Sequence, residues 1–282
     1  MVYSDLMEKY IAPLQPIPTD MQPAGNLRAP VKAVLFDVYG TLFVSRSGDI
    51  SIARQEAQTA ARLASLIQAY NYPGSADDLI DAFFKAIESS HAAMRGRGID
   101  YPEVQIDAIW QQVLETPDIE KARRFAVEFE MIVNPGYPMP NLEVVLSAFR
   151  DSPMVMGIVS NAQFFTPILF QTLLGDLPEN LGFEANLVLY SYQHGVAKPS
   201  RLLFQLAVEA LRAHGIAPAE TVYVGNDMLN DMLPADAERF QTALFAGDNR
   251  SLRLREDDPR CKNLSPDLVI TDLRQLVKQV LK

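Results

Sequence analysis

The stretch from Val31 to Phe43 is a mainly apolar run that carries one carboxylate, Asp37, and then breaks at Gly40. Its β-branched and aromatic residues predict a strand covered on both faces, as in a parallel sheet. Asp37 follows this strand, so it would lie at the carboxyl edge of the sheet, where open α/β sheets bind ligands. Taken alone, the stretch is also compatible with an ordinary strand and turn. With the elements that follow, it predicts an α/β fold with a ligand site at Asp37.

The pattern of helices and strands divides the chain into three parts. Residues 1–30 contain five prolines and little periodicity, and we interpret them as an N-terminal arm that lies on the surface without a core face. Residues 49–135 show only helical patterns, which predicts an inserted all-helical cap domain. In residues 31–48 and 136–282 strands alternate with helices, which predicts a doubly wound, largely parallel sheet.

Several helix starts can be assigned within the cap. The apolar periodicity predicts a first helix over 53–70, and Ser75 with the acidic residues after it predicts the start of a second. Proline followed by an acidic residue predicts two further starts, at Pro102 and at Pro117.

Composition limits the classes of function. The formal net charge of -10, with no basic stripe, argues against a nucleic-acid partner. The single cysteine, Cys261, excludes an internal disulfide and a multi-cysteine zinc site. No apolar run is long enough to span a bilayer and no secretory signal opens the chain, so we expect no membrane association and a cytoplasmic location. The oligomeric state is left open.

Four groups of polar residues each follow or neighbour a predicted strand, so the fold would bring them to one edge of the sheet. The first group is Asp37, Tyr39 and Thr41, and the second is Ser160 with Asn161. The hydroxyl and amide of the second group can bind phosphate or carboxylate oxygens without adding charge. Ser-Asn after a strand is also a common plain turn, so this group alone is not specific.

The other two groups are charged. Lys198 precedes Pro199 and a predicted helix start, so its ammonium group would lie near a helix N-terminus, where a bound anion is favoured. A solvated surface lysine is the alternative. The last predicted motif follows a strand and contains Asn226, Asp227 and Asp231, so two carboxylates lie close together at a turn. Such like charges need compensation by a cation or by a helix N-terminus.

In order and separation, the four groups resemble the four motifs of the haloacid dehalogenase-like hydrolase superfamily, with the cap at the family's first insertion position. The resemblance covers residues 31–282. It implies a Rossmann-like core and, as the usual activity, phosphoryl transfer through an aspartyl-phosphate. Asp37 would then be the nucleophile, and Lys198 would hold it together with a substrate anion. The oxygen-binding residues for the substrate would be Thr41, Ser160 and Asn161.

The resemblance also implies a metal site. Mg²⁺ would bind between Asp37, the backbone carbonyl of Tyr39 and either Asp227 or Asn226, and Asp231 would be a further acid of the site. Carboxylate and carbonyl oxygens are the ligands that Mg²⁺ prefers. The sequence departs from the family pattern here, since Asn226 replaces the first acid of the fourth motif.

Tyr39 is the second departure, because phosphatases of the superfamily carry a general acid and base at this place. A phenol with a pKa near 10 is a poor base. Tyrosine here resembles the 2-haloacid dehalogenase branch, in which the aspartate displaces halide from carbon without a metal. That branch, however, has a tyrosine at the place of Phe204. No cap arginine for a substrate carboxylate can be assigned; the candidates are Arg54, Arg62, Arg95 and Arg97.

This pattern predicts one function, given first, and leaves two alternatives open. The first is a Mg²⁺-dependent phosphatase that acts on a small phosphorylated metabolite enclosed between core and cap. The second is a metal-independent 2-haloacid dehalogenase. The third is a small-molecule-binding protein that has lost the chemistry, which the departures at Tyr39 and Asn226 would motivate. Retention of Asp37 together with Lys198 favours an enzyme, because a binding pocket has no need of a paired nucleophile.

Overall fold

The computed structural model describes residues 3–45 and 57–281. In this part of the chain the strands form one seven-stranded sheet and one two-stranded ribbon. The strands are β1 (Ala24–Gly25), β2 (Ala33–Phe36), β3 (Phe43–Ser45), β4 (Gly136–Pro138), β5 (Val155–Ser160), β6 (Phe183–Tyr190), β7 (Thr221–Gly225), β8 (Gln241–Phe245) and β9 (Leu268–Ile270). The α-helices are α1 (Ser4–Glu8), α2 (Ala57–Ala69), α3 (Ala76–Arg95), α4 (Ile106–Val113), α5 (Ile119–Val133), α6 (Leu142–Arg150), α7 (Thr166–Leu174), α8 (Ser191–His194), α9 (Leu202–Ala213), α10 (Leu233–Ala237) and α11 (Leu273–Val280).

The large sheet has the strand order β1-β9-β8-β7-β2-β5-β6. All neighbouring strands in it are parallel except the β1–β9 pair, which is antiparallel. From β2 the chain builds outward through β5 and β6 on one side and through β7, β8 and β9 on the other. The predicted doubly wound α/β fold is therefore confirmed, and the carboxyl end of β2 lies where the winding reverses, which is the place where such sheets bind ligands.

Strand β2 is buried on both faces, as its sequence predicts. Val34 and Phe36 contribute to a hydrophobic core that includes residues of α6, α7 and α11. Ala33 and Leu35 face the other way, into a core with α9 and α10. Alternate residues of one strand thus bind two helical layers to the sheet, which leaves the carboxyl ends of the strands as the open edge.

Helices α2 to α5 follow one another and share a separate hydrophobic core. At its centre Trp110 stacks on Phe83 with ring centroids 4.5 Å apart and lies 4.6 Å from both Phe125 and Phe129. Aromatic groups at such distances contribute packing beyond the area that they bury. In the described part of the chain, no helix is both long and apolar enough to cross a membrane.

Two of the predicted helix starts in this unit are confirmed and one is displaced. Ser75 caps α3 in a capping box with Asp78, and Asp118 caps α5 by accepting two backbone N–H groups. Helix α4 begins at Ile106 and not at Pro102. The reason is that Glu103 is not a helix-start acid: its carboxylate accepts a hydrogen bond from the Ser191 hydroxyl at 2.7 Å.

Residues 53–56 of the predicted first helix, and the boundary at residue 49, lie outside the described residues.

The N-terminal segment corrects one expectation. Leu6 and Met7 on α1 are buried in the core beside α7, so the prediction that residues 1–30 offer no core face is wrong at these two positions. Further along, β1 pairs with the edge strand β9, with Ala24 opposite Val269. The segment therefore covers an edge of the sheet as well as part of the surface.

A short antiparallel ribbon joins the helices α2 to α5 to the sheet. Strands β3 and β4 pair with Val44 opposite Tyr137 and Ser45 opposite Gly136. The Ser45 hydroxyl also donates to the side-chain carbonyl oxygen of Asn134 at 2.8 Å. The sequence did not predict this ribbon, because three-residue strands are too short to show a periodicity.

Candidate active site

The predicted site residues meet at the carboxyl ends of β2, β5 and β7, which are adjacent in the sheet. Asp37 follows β2, Ser160 ends β5 and Asn226 follows β7. The backbone N–H of Asp37 donates to the carbonyl oxygen of Val224 at 2.8 Å, so the sheet pairing extends to the carboxylate itself. The fold thus fixes the backbone under Asp37.

Gly40 allows the turn after Asp37, as the sequence predicted. Its φ of 81° lies in the left-handed region that favours glycine. A β-carbon at this position would lie 2.5 Å from Cβ of Ser251 and 2.6 Å from Nδ2 of Asn226. The first motif can therefore approach the fourth motif only because residue 40 has no side chain.

Lys198 links Asp37 to the fourth motif through a buried network. Its ammonium nitrogen Nζ lies 2.8 Å from Oδ1 of Asp37 and 2.6 Å from Oδ1 of Asp231. It also donates to the Tyr223 hydroxyl at 3.0 Å and to the carbonyl oxygen of Val159 at 3.3 Å. The predicted pairing of Lys198 with Asp37 is present in this geometry.

The charges in this network stabilise one another. Burial would lower the pKa of Lys198, but the adjacent carboxylates of Asp231 and Asp37 outweigh this effect and raise it. Burial raises the pKa of Asp231 to about 6, and the ion pair with Lys198 opposes that shift. Lysine and carboxylate are therefore both charged at neutral pH, and the pair is held inside the protein.

Both hydrogen bonds to the Asp37 side chain go to one of its oxygens. Oδ1 accepts from Nζ of Lys198 and from the Ser160 hydroxyl, each at 2.8 Å. Oδ2 accepts no hydrogen bond from any residue that the structure describes. Asp37 thus has one oxygen bound by protein donors and one oxygen available for reaction.

The hydroxyl groups of Ser160 and Thr41 are engaged by protein atoms. Both residues are fully buried, with Ser160 bound to Asp37 and Thr41 donating to Oδ1 of Asn226 at 3.2 Å. Asn161 lies at the cavity but uses its amide on the backbone of Lys198, with the Lys198 N–H 2.7 Å from Oδ1. In this geometry the three predicted oxygen binders position the Asp37, Asn226 and Lys198 groups.

Tyr39 lines the cavity, but its hydroxyl is turned to the protein. The phenol oxygen lies 2.9 Å from the Thr166 hydroxyl at the start of α7. Burial, and then the nearby charge of Glu130, raise the pKa of Tyr39 above its usual value. A phenol that holds its proton this firmly cannot serve as a general base at neutral pH, which weighs against the family's general acid and base function at this place.

The acids of the fourth motif are also engaged. Oδ2 of Asp231 accepts the backbone N–H groups of Asn226 and Asp227, each at 2.9 Å, while its Oδ1 faces Lys198. Asp227 accepts two hydrogen bonds from the guanidinium of Arg255, at 3.1 Å and 2.6 Å. Each carboxylate therefore has a protein cation as its partner.

This donor set does not fit the Mg²⁺ site that the resemblance implies. The two acids of the fourth motif are neutralised by Lys198 and Arg255, and the remaining residue, Asn226, donates its amide N–H to the carbonyl oxygen of Ser251. Among residues 3–45 and 57–281 no three His, Cys, Asp or Glu side chains are grouped so that they could hold a metal ion. Binding of Mg²⁺ stays a prediction that the side-chain arrangement does not favour.

The site opens into a cavity of about 200 Å³ at the carboxyl edge of the sheet. Seven of the predicted site residues line it: Asp37, Tyr39, Asn161, Lys198, Asn226, Asp227 and Asp231. Sequence reasoning missed the other described lining residues, which are Ser45, Asn230, Ser251, Arg253 and Arg255. The sequence does contain a signal for Arg253 and Arg255. They alternate with Leu252 and Leu254, and such alternation indicates that both arginines lie on the same side of the segment.

Phe204 and the cap arginines can also be placed. Phe204 is buried and packs edge-on against Tyr223, with ring centroids 4.8 Å apart. Phe204 has no hydroxyl to offer, and the hydroxyl that binds Lys198 belongs to Tyr223 on β7. Arg62, Arg95 and Arg97 are exposed and do not line the cavity. Arg54 lies outside the described residues.

Comparison with known proteins gives one family and one fold. A family model described as haloacid dehalogenase-like hydrolase matches residues 31–237. The structure is similar to a 2-haloacid dehalogenase from Pseudomonas syringae pv. tomato DC3000, with 20% identity, a TM-score of 0.58 and coverage of 89% of this chain and 98% of that chain. It is similar to an L-2-haloacid dehalogenase from Xanthobacter autotrophicus with covalently bound chloropropionic acid, with 21% identity, a TM-score of 0.51 and coverage of 89% and 98%. A HAD phosphatase from Thermococcus onnurineus gives 20% identity, a TM-score of 0.54 and coverage of 88% and 97%.

These structural likenesses show the fold, and the family model shows the family. None of the curated proteins that were compared with the chain matches it. The family model spans most of the chain and includes all four groups of polar residues. The sheet topology and the pairing of Asp37 with Lys198 agree with it. The chain therefore belongs to the haloacid dehalogenase-like hydrolase family.

Proposed function

We propose that the protein is a hydrolase of the 2-haloacid dehalogenase type, which replaces the halogen of a small 2-haloacid by a hydroxyl group without a resident metal ion. The observation that carries the proposal is the engagement of both fourth-motif carboxylates by protein cations, Asp231 by Lys198 and Asp227 by Arg255. The phenol at Tyr39, bound to Thr166, supports it further.

The charges favour displacement at carbon over attack on phosphorus. A phosphate ester brings about two negative charges to a carboxylate nucleophile, and a metal ion usually offsets that repulsion. Lys198 is the cation closest to Asp37, but it already neutralises Asp231 as well. A monoanionic haloacid is repelled less by the Asp37 carboxylate, since it carries one negative charge and its reacting carbon is neutral.

In the first step, Oδ2 of Asp37 attacks carbon 2 of the haloacid. The new C–O bond forms as the carbon–halogen bond breaks, and halide leaves with the bonding electron pair. The product of this step is an ester of Asp37, and no proton is transferred. Lys198 and Ser160 hold the other oxygen, Oδ1, and so orient Oδ2 toward the cavity.

In the second step, water attacks the Asp37 ester carbon. Negative charge then develops on Oδ1, where the Lys198 ammonium and the Ser160 hydroxyl already donate at 2.8 Å. Donors placed in advance at a developing oxyanion are a large source of catalysis. Collapse of this intermediate breaks the ester bond and regenerates the Asp37 carboxylate. One proton of the attacking water passes to the leaving alkoxide oxygen, which gives the 2-hydroxyacid, and the other passes to solvent.

A Mg²⁺-dependent phosphatase is the second candidate. The specific observation in its favour is that Asp37 and Lys198 have the same arrangement that an aspartyl-phosphate would need. The similarity to the Thermococcus onnurineus phosphatase also supports it. A protein that binds a small molecule without turnover is the outcome if both activities are absent. A cytoplasmic location and the lack of a nucleic-acid partner stay predictions.

The test measures halide and phosphate release on matched panels. Wild-type protein is expected to release chloride from one enantiomer of 2-chloropropionate equally well with and without EDTA. Asp37→Asn should reduce this rate by at least about 10³-fold, because it removes the nucleophile. Asp236→Asn, on the exposed face of α10, is the matched control. Phosphate release from small esters that requires Mg²⁺, with no chloride release, would reject the proposal in favour of the phosphatase.

A single turnover in H₂¹⁸O tests the covalent step directly. With enzyme in excess, the ester route transfers a ¹⁶O atom of Asp37 to the product and leaves one ¹⁸O in the carboxylate. Mass spectrometry of the peptide that contains Asp37 should therefore show an increase of about two mass units. If the isotope were found only in the 2-hydroxyacid, water and not Asp37 would be the nucleophile.

A further inference from the structure

The positive charges at the cavity are not equally neutralised. Three cationic side chains line it within the described residues: Lys198, Arg253 and Arg255. Lys198 is paired with two carboxylates and Arg255 with a third. Arg253 forms no ion pair with any residue in the ranges 3–45 and 57–281. It is therefore the one cation of the described cavity wall whose charge has no carboxylate partner.

The backbone fixes Arg253 beside the fourth motif. Its N–H donates to the carbonyl oxygen of Asn226 at 2.9 Å, and its own carbonyl accepts from the N–H of Met228 at 2.9 Å. These two bonds pair the segment with the turn that carries Asp227. The position of Arg253 thus depends on the sheet edge and not on the helices α2 to α5.

The guanidinium is anchored at one end and available at the other. Nη1 donates to the carbonyl oxygens of Arg250 at 2.7 Å and Leu252 at 3.0 Å. Nε and Nη2 donate to no group in the part of the chain that the structure describes. A guanidinium presents its donors in a rigid planar fork, so an anchored group with free donors is ready to bind a planar anion.

We propose that Arg253 binds the carboxylate of the substrate, an inference that rests on the proposed function of the same site. The cap arginines that the structure describes, Arg62, Arg95 and Arg97, do not line the cavity, whereas Arg253 does. Substrate recognition then lies on the segment that follows β8, in the core domain. One unpaired positive charge matches one monoanionic carboxylate.

The charge balance also argues against a phosphate group as the preferred ligand of Arg253. A dianion would leave one negative charge uncompensated near Asp37 and Asp231, which are themselves buried. Uncompensated charge in such surroundings is unfavourable. The geometry of the fork and the balance of charge therefore agree on a carboxylate.

Binding is measured by calorimetry in the Asp37→Asn background, where no turnover consumes the ligand. Adding Arg253→Ala should weaken binding of 2-chloropropionate by about 10-fold or more, the range for a charge-assisted hydrogen bond. Arg253→Lys should weaken it less. Binding of the uncharged 2-chloropropionamide should change by less than about 2-fold. Arg212→Ala, at the exposed end of α9, removes the same charge far from the cavity and is the matched control.

The outcomes separate this inference from the proposed function. If wild-type protein releases chloride but Arg253→Ala binds 2-chloropropionate as tightly as its parent, the inference is wrong and the function stands. If no chloride is released but carboxylates bind in an Arg253-dependent way, the function is wrong and the inference stands. Equal losses for acid and amide, or tighter Arg253-dependent binding of inorganic phosphate, would also overturn it. Thermal unfolding of each variant shows whether it is folded.

Discussion

Arg255 holds Asp227 in a two-point ion pair, with Nε 3.1 Å from Oδ1 and Nη2 2.6 Å from Oδ2. The backbone of Arg255 has a φ of 56°, a left-handed conformation that is uncommon for arginine. Asp227 also accepts backbone N–H groups of Leu229 and Asn230. The pair therefore joins the segment after β8 to the turn after β7 and places a cation beside an acid that the sequence assigned to a metal.

Removing this cation should make the site more attractive to a metal ion. We expect Arg255→Ala to raise the affinity for Mg²⁺ by about 10-fold or more, because the Asp227 carboxylate would lose its neutralising cation and its oxygens would be free to bind the metal. Calorimetric titration measures the change. Arg274→Ala is the control, since it frees Asp272 from a similar pair on the surface. Unchanged Mg²⁺ affinity in Arg255→Ala would mean that the guanidinium is not what disfavours metal binding.

Lys198 should be required for stability as well as for turnover. Lys198→Met leaves the carboxylates of Asp37 and Asp231 buried without their cation, which typically costs about 3–5 kcal/mol in the free energy of unfolding. The double variant Lys198→Met/Asp231→Asn should recover part of this loss. Urea denaturation measures both values. A single variant as stable as wild type would show that solvent reaches the pair and replaces the lysine.

Tyr39 should tolerate loss of its hydroxyl better than a change to a carboxylate. The hydroxyl binds Thr166 and not Asp37, so Tyr39→Phe is expected to lower kcat for 2-chloropropionate by less than about 10-fold. Tyr39→Asp adds a negative charge near the nucleophile and should lower it more. If Tyr39→Asp instead gave strong Mg²⁺-dependent phosphatase activity where wild type hydrolyses nothing, the natural protein would be a catalytically silent binder.

Glu130 on α5 should make stability depend on pH. Burial raises its pKa from the usual 4.5 to about 7, although a hydrogen bond from Asn134 opposes the shift. The folded protein therefore holds a proton that the unfolded chain releases, so the free energy of unfolding should fall as the pH rises from about 4.5 through 7. The loss amounts to at most about 3 kcal/mol.

Urea denaturation between pH 5 and pH 8 measures the effect of Glu130. Glu130→Gln should flatten the profile and leave the variant more stable than wild type at pH 8. Glu209→Gln, an exposed residue on α9, should leave the profile unchanged. A profile with the same slope in wild type and in Glu130→Gln would assign the dependence to other groups.

The sequence predicted those features that local patterns encode. Strand β2 is buried on both faces because Val34 and Phe36 alternate with other apolar residues, and Asp37 follows directly. Ser75 and Asp118 mark helix starts through their own side chains. In each case the signal and the structure that it specifies lie within a few residues of each other.

The sequence could not predict features that depend on distant partners. Glu103 binds Ser191, and Arg255 binds Asp227. The two residues of each pair are too far apart in the sequence for a periodic pattern to indicate the contact. Strand β1 is two residues long and exists only because β9 offers it an edge. The fourth motif could be located, but whether its acids face a metal or an arginine is decided by the segment that folds back on it.

The ribbon of β3 and β4 determines how the helical unit can move. Its two strands carry the chain toward and away from α2 to α5, and they are hydrogen-bonded to each other. Two separate linkers would let the helices slide or twist freely, whereas a paired ribbon bends as one piece. Because Ser45 lines the cavity and also binds Asn134 at the end of α5, bending of this ribbon would move part of the cavity wall together with the helices. A substitution that loosens this six-residue ribbon would therefore also change the position of a residue that lines the cavity.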